Sequence, residues 1–355
     1  MLRPKPVLER VHRRRNPDAR AGALLRLDKN EHVTGLPTAF VRRVLDAITP
    51  AQLATYPELD GLYARLAASL GLTPGHLMLT AGSDAAIKAA FEVFVAPGDD
   101  VVLSQPSYAM FEVYAAVFGA RVVPVRYRAD LGLDPEAIVA AIGAATRLVV
   151  LANPNSPTGT ALAREDLLAI VAAARGRGVP VLVDEAYHPF HPDTVIDRID
   201  ADDNLIVTRT FSKAYGLAAL RVGYAAAAPS LVALLMKVRP LYEVDGLAAA
   251  LAAAVLDEPG LVAAYVREVR AGGAVLAGAL TRLGFACPPT SANFQLVRVP
   301  DAGLRARIRD GLHDQGILIA GEQPPPLADC LRITLGPPEH METVAAGIAR
   351  IARGG

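Results

Sequence analysis

One lysine stands in a setting that invites chemistry. Lys213 lies in the stretch 208–221, TRTFSKAYGLAALR, behind a run with strand character, between Ser212 and Gly216 and eight residues before Arg221. A lysine desolvated in such a loop is pushed toward its neutral amine, and a neutral amine forms a Schiff base with an aldehyde. The hydroxyls of Thr210 and Ser212 and the fork of Arg221 would build a local anion cage beside it. The competing reading is an ordinary surface lysine.

Three further clusters follow strands or open helices. The run VLVDEAY at 181–187 is apolar until it ends in Asp184 and Glu185, and a carboxylate at such a strand end is costly unless it meets a cation. Asp184 could pair with a protonated pyridine nitrogen and so keep a ring electron-withdrawing. A metal held by the Asp184–Glu185 pair is the alternative, although no nearby histidine or carboxylate set completes it, and no metal is expected. The stretch ANPNSPTGT at 152–160 forces a rigid turn from which Asn155 or Ser156 could face a ligand, though a plain tight turn uses the same residues. Finally, AGSDAAI at 81–87 places Gly82, Ser83 and Asp84 at a helix start, where free N–H groups and the dipole favour a phosphate. A plain helix cap has the same look.

Positioning these clusters requires an open α/β sheet, which carries its ligands at strand ends. Between residues 78 and 227, short β-branched runs alternate with helical patterns, the signature of βαβ units and a mostly parallel sheet. Strands are expected at 101–104, 121–125, 148–151, 179–184, 205–208 and 221–224, and helices at 83–94, 108–118, 134–142 and 164–175, with Ser83 or Asp134 as caps. After Tyr242 the pattern changes to long helices (about 247–256 and 261–283), strands near 293–299 and 331–334, and a closing helix over 338–352. The expected organisation is an N-terminal arm (1–30), a large α/β domain (31–245) and a smaller α+β domain (246–355), with the arm joining them.

Composition narrows the function classes. With 355 residues, 52% hydrophobic and 20% charged, the chain buries one large core or two unequal ones, which excludes a disordered protein or a small cross-linked scaffold. Thirty-six basic and thirty-six acidic side chains cancel, so no global field attracts nucleic acid or an anionic membrane. Any anion must be held locally. Two cysteines, Cys287 and Cys330, make neither a disulfide framework nor a thiolate metal site and fit a reducing cytoplasm. The basic N-terminus lacks the apolar stretch of a secretory signal. The longest apolar run, 246–256, falls short of the roughly 20 residues of a membrane helix.

The four clusters occur in order with PSYAM at 106–110, LRVGY at 220–224 and LRITLG at 331–336. Together they resemble the class I/II, fold-type I pyridoxal-phosphate aminotransferases, and within these the histidinol-phosphate aminotransferase group, over roughly residues 25 to 350. The resemblance implies a seven-stranded, mostly parallel sheet flanked by helices, and pyridoxal 5'-phosphate as cofactor. Lys213 would carry the cofactor and shuttle the proton, Asp184 partner the ring nitrogen, Tyr187 donate to the ring oxygen and Tyr108 stack on the ring. Gly82, Ser83, Asp84, Thr210, Ser212 and Arg221 match the phosphate cup, while Arg332 and Asn30 match substrate-binding positions. Tyr56 resembles a tyrosine that reaches the neighbouring subunit's phosphate, which implies a homodimer. The implied reaction moves an amino group between glutamate and a keto or aldehyde acceptor, with a specialised biosynthetic aminotransferase or a decarboxylase of a phosphorylated amino acid as alternatives.

The chain departs from that group in places. Ser156 stands where asparagine is common, so Ser156 or Asn155 must contact the ring oxygen. Ile319 stands thirteen residues before Arg332, where a second arginine is usual, and the first tyrosine is Tyr56, so the arm supplies none. These losses argue against histidinol phosphate as the substrate. Glu243 and Asp245 replace neutral residues near the site mouth and are read as solvated surface in preference to a site for a cationic substrate. His32 is read as a surface histidine.

Overall fold

The computed structural model describes residues 7, 8, 11, 25–321 and 323–354. In chain order the elements are β1 (Leu25–Leu27), α1 (Thr38–Asp46), α2 (Pro50–Ala54), α3 (Asp60–Leu70), β2 (Leu77–Thr80), α4 (Ser83–Phe94), β3 (Asp100–Gln105), α5 (Ala109–Val117), β4 (Arg121–Arg126) and α6 (Pro135–Ala141). There follow β5 (Thr146–Ala152), α7 (Arg164–Arg175), β6 (Val181–Asp184), β7 (Leu205–Thr210), β8 (Gly223–Ala227), α8 (Pro229–Leu235), α9 (Gly246–Asp257) and α10 (Pro259–Arg282). The chain ends with β9 (Phe294–Arg298), α11 (Ala302–Asp314), β10 (Ile317–Ile319), β11 (Cys330–Thr334) and α12 (Pro338–Ala352).

Seven strands form one sheet in the order β2-β8-β7-β6-β5-β3-β4. Only β8 runs against its neighbours; all other pairs are parallel. Strands such as β6 (VLVD) and β7 (LIVTRT) are buried along their whole length because helices cover both faces, which explains their lack of polar alternation. The sheet is therefore the expected fold-type I core. Its parallel strands end on one edge, so Thr80, Gln105, Ala152, Asp184 and Thr210 all deliver their loops to one side of the molecule.

Several local expectations are corrected. Asp134 does cap α6, accepting from Glu136 N and Ala137 N, whereas Ser83 is the first helical residue of α4 and Gly82, at φ 78°, precedes it. The strand expected from Arg221 starts two residues later, and Arg221 itself takes a left-handed φ of 53°. Most of the expected arm lies outside the described residues. At its described end, β1 pairs in parallel with β10, and Leu27 is fully buried. The C-terminal part contains the antiparallel β9–β11 pair packed under α10 and α11, with α12 against both helices. Helix α9 packs on α3 and α1 as well as on α10. Among the described residues no single helix is long and apolar enough to cross a membrane.

Candidate active site

Two strand ends place the amine and the acid. Lys213 follows β7 and is half-buried; its Nζ donates to the Lys29 carbonyl at 2.9 Å. Burial, with the guanidiniums of Arg332 and Arg221 adding to it and Glu31 and Asp184 opposing, lowers the lysine to about 8. Asp184, the last residue of β6, is 5% exposed and accepts from Thr208 Oγ1 at 2.8 Å. Burial pushes its carboxyl up to about 7, helped by the charges of Asp84 and Glu185 against Thr208 and Lys213. A buried acid with this proton affinity is suited to a cationic ring N–H.

Glu185 faces elsewhere. Its carboxylate receives Arg209 Nε and Nη2 at 2.9 and 2.7 Å, the Thr194 hydroxyl at 2.7 Å and Val195 N at 3.0 Å. These donors occupy it, which removes the alternative of a metal held by Asp184 and Glu185 together.

Residues 28–30 tie the rest of the site together. The Asp28 carbonyl accepts from Arg332 Nη2 at 2.9 Å, and Asn30 Nδ2 donates to the Tyr187 hydroxyl at 2.9 Å. Asn30, at φ 56°, is 2% exposed and is held by Thr334 Oγ1 and Asn293 Nδ2. Arg332 lies over the Phe294 ring at 5.6 Å, donates to Ser156 Oγ at 3.3 Å and keeps its buried Nε without a partner. That open edge of a buried guanidinium is an anion position.

The expected phosphate cup is a place of close approach. The first N–H groups of α4 lack intrahelical partners and carry the positive end of the dipole. Gly82 is needed because a Cβ there would lie 2.6 Å from Arg221 Nη2. Beside them, Ser212 Oγ accepts from Thr210 Oγ1 at 2.9 Å and from Arg221 Nη1 at 3.1 Å. Hydroxyls, helix N–H groups and a guanidinium around one small space, next to a low-affinity lysine and a buried acid, fit pyridoxal 5'-phosphate in both charge and donor type. Tyr108, 40% exposed at the mouth, presents its ring edge-on to Phe111 and its hydroxyl to Asp84.

Some expected residues are placed differently. The Asn155 side chain is consumed in its own turn: it donates to Pro106 O and Thr158 Oγ1 and accepts from Ser107 Oγ at 2.6 Å. Ser156 is the member of that pair that reaches Arg332. Tyr56 is 73% exposed and stacks on Tyr242 at 4.1 Å. Ile319 is a core residue paired with Leu27; the residue bridged directly to Arg332 is Ala320. Glu243 is half-buried and accepts from Ala81 N at 3.2 Å, while Asp245 caps α9 through Ala248 N, so neither is merely solvated surface. His32 stacks on Tyr265 at 3.3 Å beside Gly216, and burial lowers its ring to about 4. The carbonyls of Asp28 and Lys29 escaped the sequence reading because backbone groups carry no residue signature. Arg209 left one: a charged residue inside an apolar strand needs a buried partner.

Comparison with known proteins places this geometry. The model of the family "Aminotransferase class I and II" matches residues 23–348. Histidinol-phosphate aminotransferase 2 of Ralstonia nicotianae is 39% identical over 335 residues, covering 92% of this chain and 88% of that protein. The histidinol-phosphate aminotransferase of Thermoanaerobacter pseudethanolicus is 33% identical and covers 92% of both. The structure of histidinol-phosphate aminotransferase from Sinorhizobium meliloti in complex with pyridoxal-5'-phosphate has a TM-score of 0.89 at 27% identity, covering 100% of this chain and 98% of that one.

Proposed function

The chain belongs to the class I and II aminotransferase family and is a transaminase; we propose that it holds pyridoxal 5'-phosphate on Lys213 and moves amino groups between glutamate and a keto or aldehyde acceptor. One observation carries the reading: residues 28–30 hydrogen-bond Arg332, Lys213 and Tyr187 in turn, which gathers an amine, a phenol and a guanidinium at one strand edge. In this reading the α4 N–H groups of Gly82, Ser83 and Asp84, with Thr210, Ser212 and Arg221, hold the phosphate, Asp184 holds the ring-nitrogen proton, and Tyr187 donates to the ring oxygen. When bound, the cofactor supplies an aldehyde carbon and an electron-poor ring. Lys213 Nζ, lowered to about 8, takes up the α-proton of the amino acid and returns it. Arg332 fixes the substrate carboxylate through its fork.

A carboxylate, planar and singly charged, matches that single guanidinium. For the phosphate of histidinol phosphate, the compound in the relatives' names, a second cation would serve better than Ala320, which is bridged to Arg332. Amino-acid carboxylates are therefore the preferred partners, with histidinol phosphate second. A second copy of the chain belongs to the working enzyme: the exposed Tyr56–Tyr242 stack, flanked by Leu53 and Leu241, covers itself against that copy and brings Tyr56 to its phosphate. The enzyme acts in the cytoplasm, where Cys287 and Cys330 stay as free thiols.

The test is a panel of amino donors and carbonyl acceptors with wild-type and Lys213→Ala protein. Lys213→Ala must lose both turnover and borohydride fixation of the cofactor; retention of either refutes the reading. Carbon dioxide release without need of an acceptor would turn it toward decarboxylation.

A further inference from the structure

A cluster at the site mouth has no part in the reaction as described. Tyr108 OH donates to Asp84 Oδ1 at 3.2 Å, and Tyr114 OH donates to Asp84 Oδ2 at 2.8 Å. Asp84 is the second residue of α4, so its charge sits beside the N–H groups assigned to phosphate. A carboxylate aimed at a phosphate dianion would repel it. Here both oxygens turn to phenols instead.

The two phenols differ in their surroundings. Tyr114, on α5, is 7% exposed and packs against Phe91 with ring centroids 5.9 Å apart. Tyr108 immediately precedes α5, and its ring meets the fully buried Phe111 at 5.6 Å and 90°. Phe111 therefore sets the ring plane, and Asp84 sets the hydroxyl end. Tyr114, anchored in the core, fixes Asp84.

We infer that Asp84 is a positioning residue: braced by Tyr114, it holds the Tyr108 ring and hydroxyl in place at the cofactor face, and takes no part in binding phosphate through its side chain. This rests on the proposed cofactor site. The electrostatics run the same way, since burial together with the charges of Asp84 and Asp184 raises the Tyr108 phenol, against Arg221. Were the carboxylate a phosphate ligand, its oxygens would face the α4 N–H groups; instead both accept from phenols.

Two measurements test this. In cofactor-free protein, tetranitromethane nitrates phenolates, and peptide mass spectrometry reads each tyrosine separately. Asp84→Asn removes the charge that keeps Tyr108 protonated, so Tyr108 nitration rises about tenfold, as for a one-unit drop in its proton affinity. Tyr63, on α3 with its hydroxyl accepting from Leu79 N and no bond to Asp84, keeps its wild-type rate. In the holoenzyme, Tyr114→Phe touches neither cofactor nor substrate, yet it weakens the visible circular dichroism of the bound cofactor and speeds cofactor release about tenfold, the loss of one charge-assisted hydrogen bond. A wild-type Tyr108 nitration rate in Asp84→Asn, or wild-type dichroism and release in Tyr114→Phe, overturns the inference. Borohydride fixation on Lys213 in the wild type separates this from failure of the site itself: without it the cofactor reading falls, and the inference with it.

Discussion

Gly223→Ala probes whether the phosphate cup is held by steric closeness. A methyl at 223 would stand 2.3 Å from Ser83 N and 2.4 Å from Gly82 C, where ordinary contact begins at 3.4 Å, so something must open by about 1 Å. Gly223 is paired on one side with Thr80 of β2 and on the other with Thr210 of β7, both within the sheet. The turn at 81–83 lies outside the sheet ladder and is held by Gly82 N to Thr80 O, Thr80 Oγ1 to Gly82 O and Ala81 N to Glu243, so it is the part that gives. Overpacking of this kind costs about 1–3 kcal/mol, which for a chain of this size is a fall of several degrees in Tm. Displacing positioned donors by about 1 Å costs up to about 100-fold in what they position, so the cofactor dissociation constant rises about 10- to 100-fold. Titration of cofactor-free protein by fluorescence, with calorimetry alongside, reads both. Gly143→Ala, at a position with open space, is the control. Wild-type Tm and affinity would show that the turn is not pressed against β8, and a lowered Tm with wild-type affinity would show that the cup does not hold the cofactor.

Arg332→Lys keeps the charge and loses the planar fork, so KM for an amino-acid donor should rise about 10- to 100-fold with a smaller change in kcat, measured by steady-state kinetics. Arg209→Ala strands Glu185 as an uncompensated buried charge; its urea midpoint should fall by the equivalent of about 3–5 kcal/mol. In cofactor-free protein Asp184 is held up to about 7 against an ordinary 3.8, so the folded state binds a proton the unfolded chain has already lost. That contribution to stability is complete below the lower value and is lost as pH rises through the upper one, at up to about 1.4 kcal/mol per pH unit. Asp184→Asn should flatten the urea midpoint between about pH 4 and 7 relative to wild type.

Legibility followed locality. Helices α4, α7 and α12 have the expected bounds, since each carries its apolar spacing and its stop within one segment. Strand β2, LMLT, was not singled out because three apolar residues and a threonine have no period of their own. Helix α11, AGLRARIRDGLHD, hides a thin apolar face of Ile308 and Leu312 among charges. Strands β1 and β10 have three residues each and owe their existence to one another across some 290 positions of chain. Among the proposed site residues, Lys213 and Asp184 were singled out by motif chemistry and Tyr187 by the family resemblance. Arg221 was read as the start of a strand because nothing in its side chain signals a left-handed backbone, and Asn155 was read toward the ligand because an amide that closes a turn looks the same in sequence as one that faces a cofactor.

What organises the site is the segment least legible beforehand. Lys29 meets Lys213 across 184 residues, and Asn30 meets Thr334 across 304. Asn30 holds a left-handed backbone that costs a non-glycine residue about 1 kcal/mol or more, and such strain persists only where the surroundings over-determine it. Here they do: its N–H, its carbonyl and both ends of its amide are hydrogen-bonded to Thr334, Asn293 and Tyr187. The strain places the Asp28 and Lys29 carbonyls on Arg332 and Lys213, the guanidinium and the amine that the proposed reading assigns to substrate carboxylate and cofactor aldehyde. Ligand entry is then an exchange of partners at Arg332 and Lys213, and only the difference between a carbonyl and a carboxylate at a buried guanidinium is left to favour the substrate. That difference is largest for a full negative charge with two oxygens in the guanidinium plane, so on the proposed reading a preference for amino-acid carboxylates would follow from a backbone segment with no charged atom in contact with the ligand.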